Sequence, residues 1–480
     1  MDEWIDRIDA ELSRLRDTEA SIRYAVDVQG HLDAQALSQC SARRREILWA
    51  AAKDAKAHMA NCTGKSRRKY ALLLNAAHLS LLDDEPEVSR IRNDLESQLY
   101  DFLPTIDGTA VTYSQRAALL TTSDDPLKRR IAHESIKPFL ESIEPHCRRF
   151  LKAANKAAVQ LGMENYATAK MSYQELDMTA FRRLSDQVRR AWAPRWRRLL
   201  ARRQQHSPVP VEAWDIRHFL HRELEAMDGA VQFKDDVVAV VADTLAMAGL
   251  DFATLPITIS LRPVPHTGAV HALKVGADIQ VVLREGTTFS RLGAWSTLFH
   301  EIGHALYYCF APKNTSLLLD DRIAREGLAE VWARLIETPE WLRHFAGCAS
   351  EKGQRLLELQ RDSSVLMALE CLRDTLFEIE LFANPDASFE RTWRQATEDV
   401  FGIADSTGVY SEHIGMYPLD MKDYVYARVI ADAVVAELRS TVGDDLLSPA
   451  TLQRVVDRYY GKWNLEPWHV RLPCCLEADE

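Results

Sequence analysis

Two histidines and a glutamate near the middle of the chain have the types and spacing of a hydrolytic metal site. They lie in the segment His300-Glu301-Ile302-Gly303-His304. On an α-helix, residues four apart lie one turn apart on the same face, so both imidazoles can reach one ion. The carboxylate beside the first histidine can act as a general base on a water molecule. The segment therefore predicts one zinc ion held by His300 and His304, with Glu301 activating the water.

The residues around this segment predict the helix that would position it. Trp295, Phe299, Ile302 and Leu306 recur at helical spacing and form one apolar stripe. The two histidines point away from that stripe, as ligands facing a cleft should, while the stripe anchors the helix in the core. A coincidental pair of surface histidines would not need this pattern, so the pattern favours a metal site.

Two glutamates after the motif are candidates for the third protein ligand that a catalytic zinc ion needs. Glu326 and Glu330 lie on the next predicted helix and share one face at a separation of four residues. The spacing from His304 suits either glutamate and does not choose between them. We expect the glutamate that is not a ligand to orient one of the ligating histidines.

Several segments resemble the thimet oligopeptidase and oligoendopeptidase F family of zinc metallopeptidases. The sequence TLFHEIGHAL at residues 297–306 is close to that family's zinc helix. The segment around Glu330, Ala-Glu-Val, resembles the one that carries the third ligand in the oligoendopeptidase branch, so the resemblance implies Glu330 rather than Glu326. Gly268 and Ala269 stand where the family has a strand beside the cleft, which implies that they contact the substrate.

A histidine and two tyrosines downstream extend the resemblance. His413, Tyr417 and Tyr424 resemble a family pattern in which a histidine precedes two tyrosines seven residues apart. In the family these groups face the zinc ion. The resemblance implies that Tyr424 donates a hydrogen bond to the oxyanion, and that Tyr417 and His413 contact the substrate. Tyr426 remains an alternative to Tyr424, because the nearby Pro418 obscures the helical phase.

Helical patterns dominate the rest of the sequence. Apolar residues recur at helical spacing with charges between them in most segments. Short β-branched runs at 257–261, 269–275 and 278–283 predict a small antiparallel β-sheet beside the zinc helix. The fold class is therefore mainly α, and the resemblance implies a helical ellipsoid with a deep substrate channel. We expect an N-terminal helical region at 1–153 and a zinc-peptidase catalytic region at 154–480, joined as one helical body.

Composition and charge narrow the class of protein. The 480 residues carry 59 basic and 70 acidic side chains, a formal net charge of -11, which gives no overall electrostatic reason to expect nucleic-acid binding. The acidic N-terminus lacks the basic start and apolar run of a secretory signal. No stretch approaches the roughly 20 apolar residues of a membrane span. We therefore expect a cytoplasmic protein with no nucleic-acid or membrane partner.

Together these features predict zinc-dependent hydrolysis of peptide bonds in short peptides. Two departures from the family keep alternatives open: residues 293–296 contain no acidic side chain, where the family often has one, and the chain is somewhat short for the group. One alternative is a processing or biosynthetic hydrolase dedicated to one peptide or amide. The other is a metal-containing peptide-binding protein without turnover, although the intact Glu301 argues against it.

Overall fold

The chain is mainly helical in the computed structural model, as the sequence predicts. The structure describes residues 2–30, 33–205, 211–228, 231–234, 236–264, 266–287, 289, 291–319, 321–348, 351–403, 405–443, 445–460 and 465–474. Contacts group the chain into two units. The first unit comprises Met1–Ser80, Asp228–Leu357 and Tyr426–Leu476, and the second is built mainly from Leu81–Met227 and Glu358–Val425. The division into regions 1–153 and 154–480 stays a prediction.

Nineteen α-helices are defined within the described residues. In chain order they are α1 (Asp2–Gln29), α2 (Ala34–Ala60), α3 (Gly64–Asp83), α4 (Pro86–Asp101), α5 (Tyr113–Thr122), α6 (Pro126–Glu134), α7 (Lys137–Gln160), α8 (Tyr166–Tyr173), α9 (Met178–Gln205), α10 (Ile216–Asp228), α11 (Val237–Met247), α12 (Leu292–Cys309), α13 (Arg322–Ile336), α14 (Pro339–Ala346), α15 (Glu351–Ala383), α16 (Phe389–Phe401), α17 (Met421–Val442), α18 (Pro449–Val455) and α19 (Trp468–Arg471). Within the described part of the chain, no helix is long and apolar enough to cross a membrane.

Two small sheets accompany the helices. Strands β1 (Thr105–Ile106) and β2 (Thr109–Ala110) form an antiparallel pair in the second unit, while β3 (Ile257–Arg262), β4 (Gly268–Lys274) and β5 (Asp278–Arg284) form a sheet in the first. β4 and β5 pair antiparallel, as predicted, but β3 pairs parallel to β5. The strand order is β3-β5-β4, because β5 returns from its hairpin into the place between the other two. The predicted sheet is therefore mixed rather than wholly antiparallel.

The apolar stripe anchors α12 in the core of the first unit. Trp295, Phe299, Ile302 and Leu306 are completely buried, which confirms the stripe. The ring centroids of Trp295 and Phe299 lie 5.8 and 6.0 Å from that of Trp341 on α14. With this face of the helix fixed by packing, the two histidines of the motif lie on the other, partly exposed side.

Helices α12 and α13 approach each other closely at a glycine. A Cβ atom at Gly303 would lie 2.6 Å from the Cα and 3.1 Å from the carbonyl oxygen of Ala329. No side chain fits into that space unless the two backbones move apart. On α13, a Cβ at Gly327 would lie 3.0 Å from Cγ2 of Ile430 on α17. Helix α13 therefore packs closely against both α12 and α17.

Replacing Gly303 by alanine should lower the free energy of unfolding by about 1–3 kcal/mol, because the added methyl group overpacks the contact between α12 and α13. Chemical denaturation of the purified protein measures the change. Gly293→Ala is the matched control, since Gly293 is exposed on the same helix and alanine there changes stability by at most about 1 kcal/mol. Equal stability of the two variants would contradict the close contact.

Candidate metal centre

Three side chains of the first unit bring possible ligand atoms together. Among the described residues, ligand atoms of His300, His304 and Glu326 all lie within 4.8 Å of one another. Glu326 Oε2 is 3.5 Å from His300 Nε2 and 3.3 Å from His304 Nε2. Two imidazoles and one carboxylate, with a further position for water, are the ligand set of a catalytic zinc ion. The donor chemistry therefore fits the predicted metal.

Glu330, the glutamate that the resemblance implies as a ligand, lies on the other side of the first histidine. Its Oε2 is 3.5 Å from His300 Nδ1, and its Oε1 accepts a hydrogen bond from Arg334 Nη2 at 2.7 Å. Ala329 lies opposite Gly303. Glu326, about one turn earlier on α13, therefore reaches the Nε2 atoms of His300 and His304. This geometry favours Glu326 as the ligand and Glu330 as the carboxylate that orients the ring.

Burial and charge make this group of side chains suitable for a cation. Burial disfavours a charged His300, but hydrogen bonds with Glu326 and Glu330 outweigh it and raise the pKa of His300 to about 10. Burial also disfavours an ionised Glu326, yet the charge on His304 and hydrogen bonds with both histidines hold the pKa of Glu326 well below its usual value. Carboxylates that stabilise a proton here would also stabilise a metal ion.

A buried arginine holds the carboxylate of Glu330 in place. Arg334 bonds to both Glu330 and Glu337, and its Nε lies 3.6 Å from Asp432 Oδ1 on α17. Glu337 in turn accepts a hydrogen bond from Ser296 Oγ of α12 at 3.0 Å. A hydrogen bond to α12 and an ion pair to α17 therefore connect the end of α13 to both of the helices that it packs against.

The predicted general base lies against a glycine of β4. Glu301 is only 8% exposed, and a Cβ atom at Gly268 would lie 2.9 Å from Glu301 Cγ and 3.1 Å from its Oε1. The missing side chain at Gly268 thus leaves the space that the carboxylate occupies. Ala269 follows on the same strand and is half-buried. Of the two residues of β4 that are predicted to contact substrate, Gly268 therefore also positions Glu301.

The N-terminal helix contacts the same strand, which the sequence did not predict. Asp27 of α1 hydrogen-bonds His266 and His271, with Oδ1 3.0 Å from Nε2 of the first and Oδ2 2.7 Å from Nε2 of the second. The hydroxyl group of Tyr24 donates to Gln280 Oε1 of β5 at 3.4 Å. The partners of Asp27 are 239 and 244 residues away, so no local pattern could reveal these bonds.

The histidine and tyrosines predicted to bind substrate belong to the second unit. The rings of His413 and Tyr417 lie together, with centroids 6.3 Å apart. Tyr417 and Tyr424 are 43% and 37% exposed, as groups that meet a ligand must be. Tyr426 belongs to the first unit, is 4% exposed and packs edge-on against Trp468, at 5.0 Å between centroids. Exposure therefore favours Tyr424 over Tyr426.

Two buried polar side chains, those of Lys170 and Glu378, hold the turn between those two tyrosines. Lys170 Nζ donates to the carbonyl oxygen of Pro418 at 2.8 Å, and Glu378 Oε2 accepts from the backbone N–H of Leu419 at 2.6 Å. Leu419 has a φ of 62°, a left-handed conformation that a leucine adopts only when its surroundings impose it. The two bonds stabilise that conformation and so set where the chain leaves Tyr417 and starts α17.

Comparison with known proteins shows the fold. No family model and no curated protein matches the sequence. PZ peptidase A with an inhibitor matches at a TM-score of 0.69 and 12% identity, over 94% of this chain and 84% of that one. The chain has the fold of a peptidase. Two structures assigned to oligoendopeptidase F have the same fold. One matches at a TM-score of 0.67 and 14% identity, over 94% of this chain and 84% of that one. The other, from Bacillus anthracis str. Ames, matches at a TM-score of 0.60 and 16% identity, over 92% of this chain and 80% of that one. The predicted resemblance is thus confirmed for the fold.

Replacing Glu378 by glutamine should remove part of the pH dependence of stability. Burial raises the pKa of Glu378 to about 8, against the opposing bond from Leu419, whereas a glutamate in the unfolded chain titrates near pH ~4.3. The folded chain thus retains a proton that the unfolded chain loses. The stabilisation is complete below pH ~4 and is lost as the pH rises towards 8, by up to about 1.4 kcal/mol per pH unit.

Denaturant unfolding of wild type and Glu378→Gln between pH 5 and 8 checks this expectation. The glutamine can still accept the hydrogen bond from Leu419, so the comparison isolates the ionisation. As the pH rises, the unfolding free energy of the wild type should fall relative to that of the variant. A difference that stays constant over this range would contradict the raised pKa.

Proposed function

We propose that this protein is a zinc-dependent peptidase that cleaves short peptides. The observation that carries the proposal is the convergence of Glu326 Oε2 on the Nε2 atoms of His300 and His304, with Glu301 next to the first histidine. The fold is that of proteins named as peptidases, which supports the same class of reaction. The residues implied by the resemblance to oligoendopeptidase F supply the remaining roles.

The ligands of one zinc ion would be His300, His304 and Glu326, with Glu330 orienting His300 through Nδ1. This assignment replaces Glu330 as the proposed ligand, because Glu330 bonds to Arg334 and faces the nitrogen of His300 that points away from Glu326. A bound zinc ion supplies a Lewis acid for the scissile carbonyl and for the attacking water. Removing any of the three ligands should therefore weaken metal affinity more than removing the orienting carboxylate.

Glu301 would be the general acid–base residue. Its carboxylate accepts a proton from the attacking water and delivers that proton to the nitrogen of the leaving amine as the peptide bond breaks. The side chain is nearly buried against Gly268, so little bulk water competes for the carboxylate. Gly268 and Ala269 lie on β4, the last strand in the order β3-β5-β4, and an extended peptide could pair with such an edge.

His413, Tyr417 and Tyr424 are proposed to contact the substrate, as the resemblance implies. Tyr424 would donate its phenolic hydrogen to the oxygen that gains negative charge when water attacks the carbonyl. Loss of a donor of this kind typically slows a reaction by about 10²–10³. The exposure of Tyr424 and the burial of Tyr426 support this choice.

Cleavage of a mixed library of short peptides, followed by mass spectrometry, tests the proposed function. The zinc-loaded wild type should cleave members of the library, and Glu301→Gln should be slower by about 10²–10⁴ because the proton acceptor is lost. Metal content is measured for both proteins. Glu340→Gln is the matched control, since Glu340 lies on α14 beside Arg343 and should keep full activity.

Two results would contradict the proposal. The first is the absence of cleavage by wild type that contains one equivalent of zinc, which would favour a dedicated substrate or a binding role. The second is equal cleavage by wild type and Glu301→Gln, which would place the catalytic base elsewhere.

A further inference from the structure

One carboxylate of α1 bonds to the chain on both sides of Gly268. Asp27 Oδ1 lies 3.0 Å from Nε2 of His266, and Asp27 Oδ2 lies 2.7 Å from Nε2 of His271. An ionised carboxylate only accepts hydrogen bonds, so each imidazole donates from Nε2. The side chain of Asp27 is 9% exposed, and burial strengthens such bonds. These three side chains, the Asp27 bridge, connect the N-terminal helix to the strand that contains Gly268.

The place of Asp27 within α1 is explained by its partners and not by the helix. The residue lies in the last turn of α1, which ends at Gln29. The aligned peptide dipoles make that end of a helix negative, so a carboxylate there destabilises the helix. A nearly buried carboxylate also needs hydrogen-bond donors, and His266 and His271 supply them. Asp27 therefore serves the contact with the strand.

Helices α1 and α12 lie on opposite faces of the sheet. Gln280 of β5 is the register partner of His271 and accepts a hydrogen bond from Tyr24 of α1, so α1 covers the face that carries these two side chains. Successive residues of a strand face opposite sides. Gly268 lies three residues before His271 and therefore faces the other side, where it contacts Glu301 of α12. Strand β4 is thus held between the two helices.

The proposed general base packs against the backbone of this strand. The Cβ position of Gly268 is 2.9 Å from Cγ and 3.1 Å from Oε1 of Glu301, and it is 3.1 Å from Cδ2 of the buried Leu283 on β5. These contacts leave no space between the strand and the carboxylate. A movement of β4 relative to α12 would therefore change where the carboxylate lies. A misplacement of about 1 Å in a catalytic site can slow a reaction by about 10²-fold.

We propose that Asp27 is a positioning residue for the peptidase reaction: the Asp27 bridge holds β4 in place against α12 and so fixes the carboxylate of Glu301. This proposal rests on the proposed peptidase function, and it adds the N-terminal helix to the parts of the chain that the reaction needs. The proposed zinc ligands His300, His304 and Glu326 lie on α12 and α13. Loss of the bridge should therefore affect the rate of the chemical step and leave zinc binding unchanged.

Peptide cleavage by the zinc-loaded variant Asp27→Ala tests the proposal. Its kcat should be about ten- to a hundredfold lower than that of wild type, with a smaller change in KM and an unchanged zinc content. Tyr24→Phe is the matched control, because it removes the other hydrogen bond between α1 and the sheet and should keep the wild-type kcat. A wild-type kcat in Asp27→Ala, or an equal loss in both variants, would overturn the proposal.

A double-mutant cycle with Gly268→Ala tests the route from the bridge to the general base. The added methyl group should displace Glu301 directly and so lower kcat. If Asp27 acts through the same contact, Asp27→Ala should slow the Gly268→Ala protein by no more than about threefold, because the two losses are coupled. Losses in kcat that multiply in the double variant would show independent effects and overturn this route.

Structural measurements without substrate separate this proposal from the peptidase function. In hydrogen–deuterium exchange of the zinc-loaded proteins, the amides of residues 266–271 should exchange about tenfold faster or more in Asp27→Ala than in wild type or Tyr24→Phe. A crystal structure of Asp27→Ala should show the Glu301 carboxylate displaced. Both results would support the positioning role even if wild type cleaved nothing. Cleavage by wild type, with unchanged exchange and an unmoved Glu301 in Asp27→Ala, would leave the peptidase function intact and overturn the positioning role.

Discussion

The contact between the backbones of α12 and α13 determines the geometry of the proposed metal centre. A glycine at position 303 lets the two helices approach until a Cβ atom there would lie 2.6 Å from the Cα of Ala329. At that separation, Glu326 and Glu330 reach opposite nitrogens of the same imidazole from successive turns of α13. A wider spacing would withdraw both carboxylates from His300. The proposed ligand set and the proposed orienting carboxylate therefore depend on one missing side chain.

Buried charges then keep the helices in this register. Burying a charged group is costly unless a partner compensates it, and Arg334 compensates Glu330 and Glu337 together. Two kinds of polar contact cross from α13 to α12: Glu337 accepts a bond from Ser296, and Glu326 and Glu330 lie against His300. Sliding α13 along α12 would break these contacts. Close packing sets the distance between the helices, and the polar contacts between them set their alignment.

The sequence predicts the parts of the site that depend on one helix. The histidine pair and its apolar stripe follow from helical periodicity, because their positions are local. The choice between Glu326 and Glu330 could not be made locally, since both lie on one face of α13 and only the crossing with α12 separates their roles. The resemblance implied Glu330 because of the Ala-Glu-Val segment alone, which carries no information on how α13 crosses α12. Nor could the sequence reveal the turn at Leu419, which depends on Glu378, a residue of another helix.

Anomalous diffraction at the zinc absorption edge, from crystals of the zinc-loaded protein, locates the metal ion and its ligands. We expect a single peak within about 2.0–2.2 Å of the Nε2 atoms of His300 and His304 and of one carboxylate oxygen of Glu326, with Glu330 remaining beside Nδ1 of His300. A zinc ion coordinated by Glu330 in place of Glu326, or no ion at these residues, would contradict the proposed metal centre.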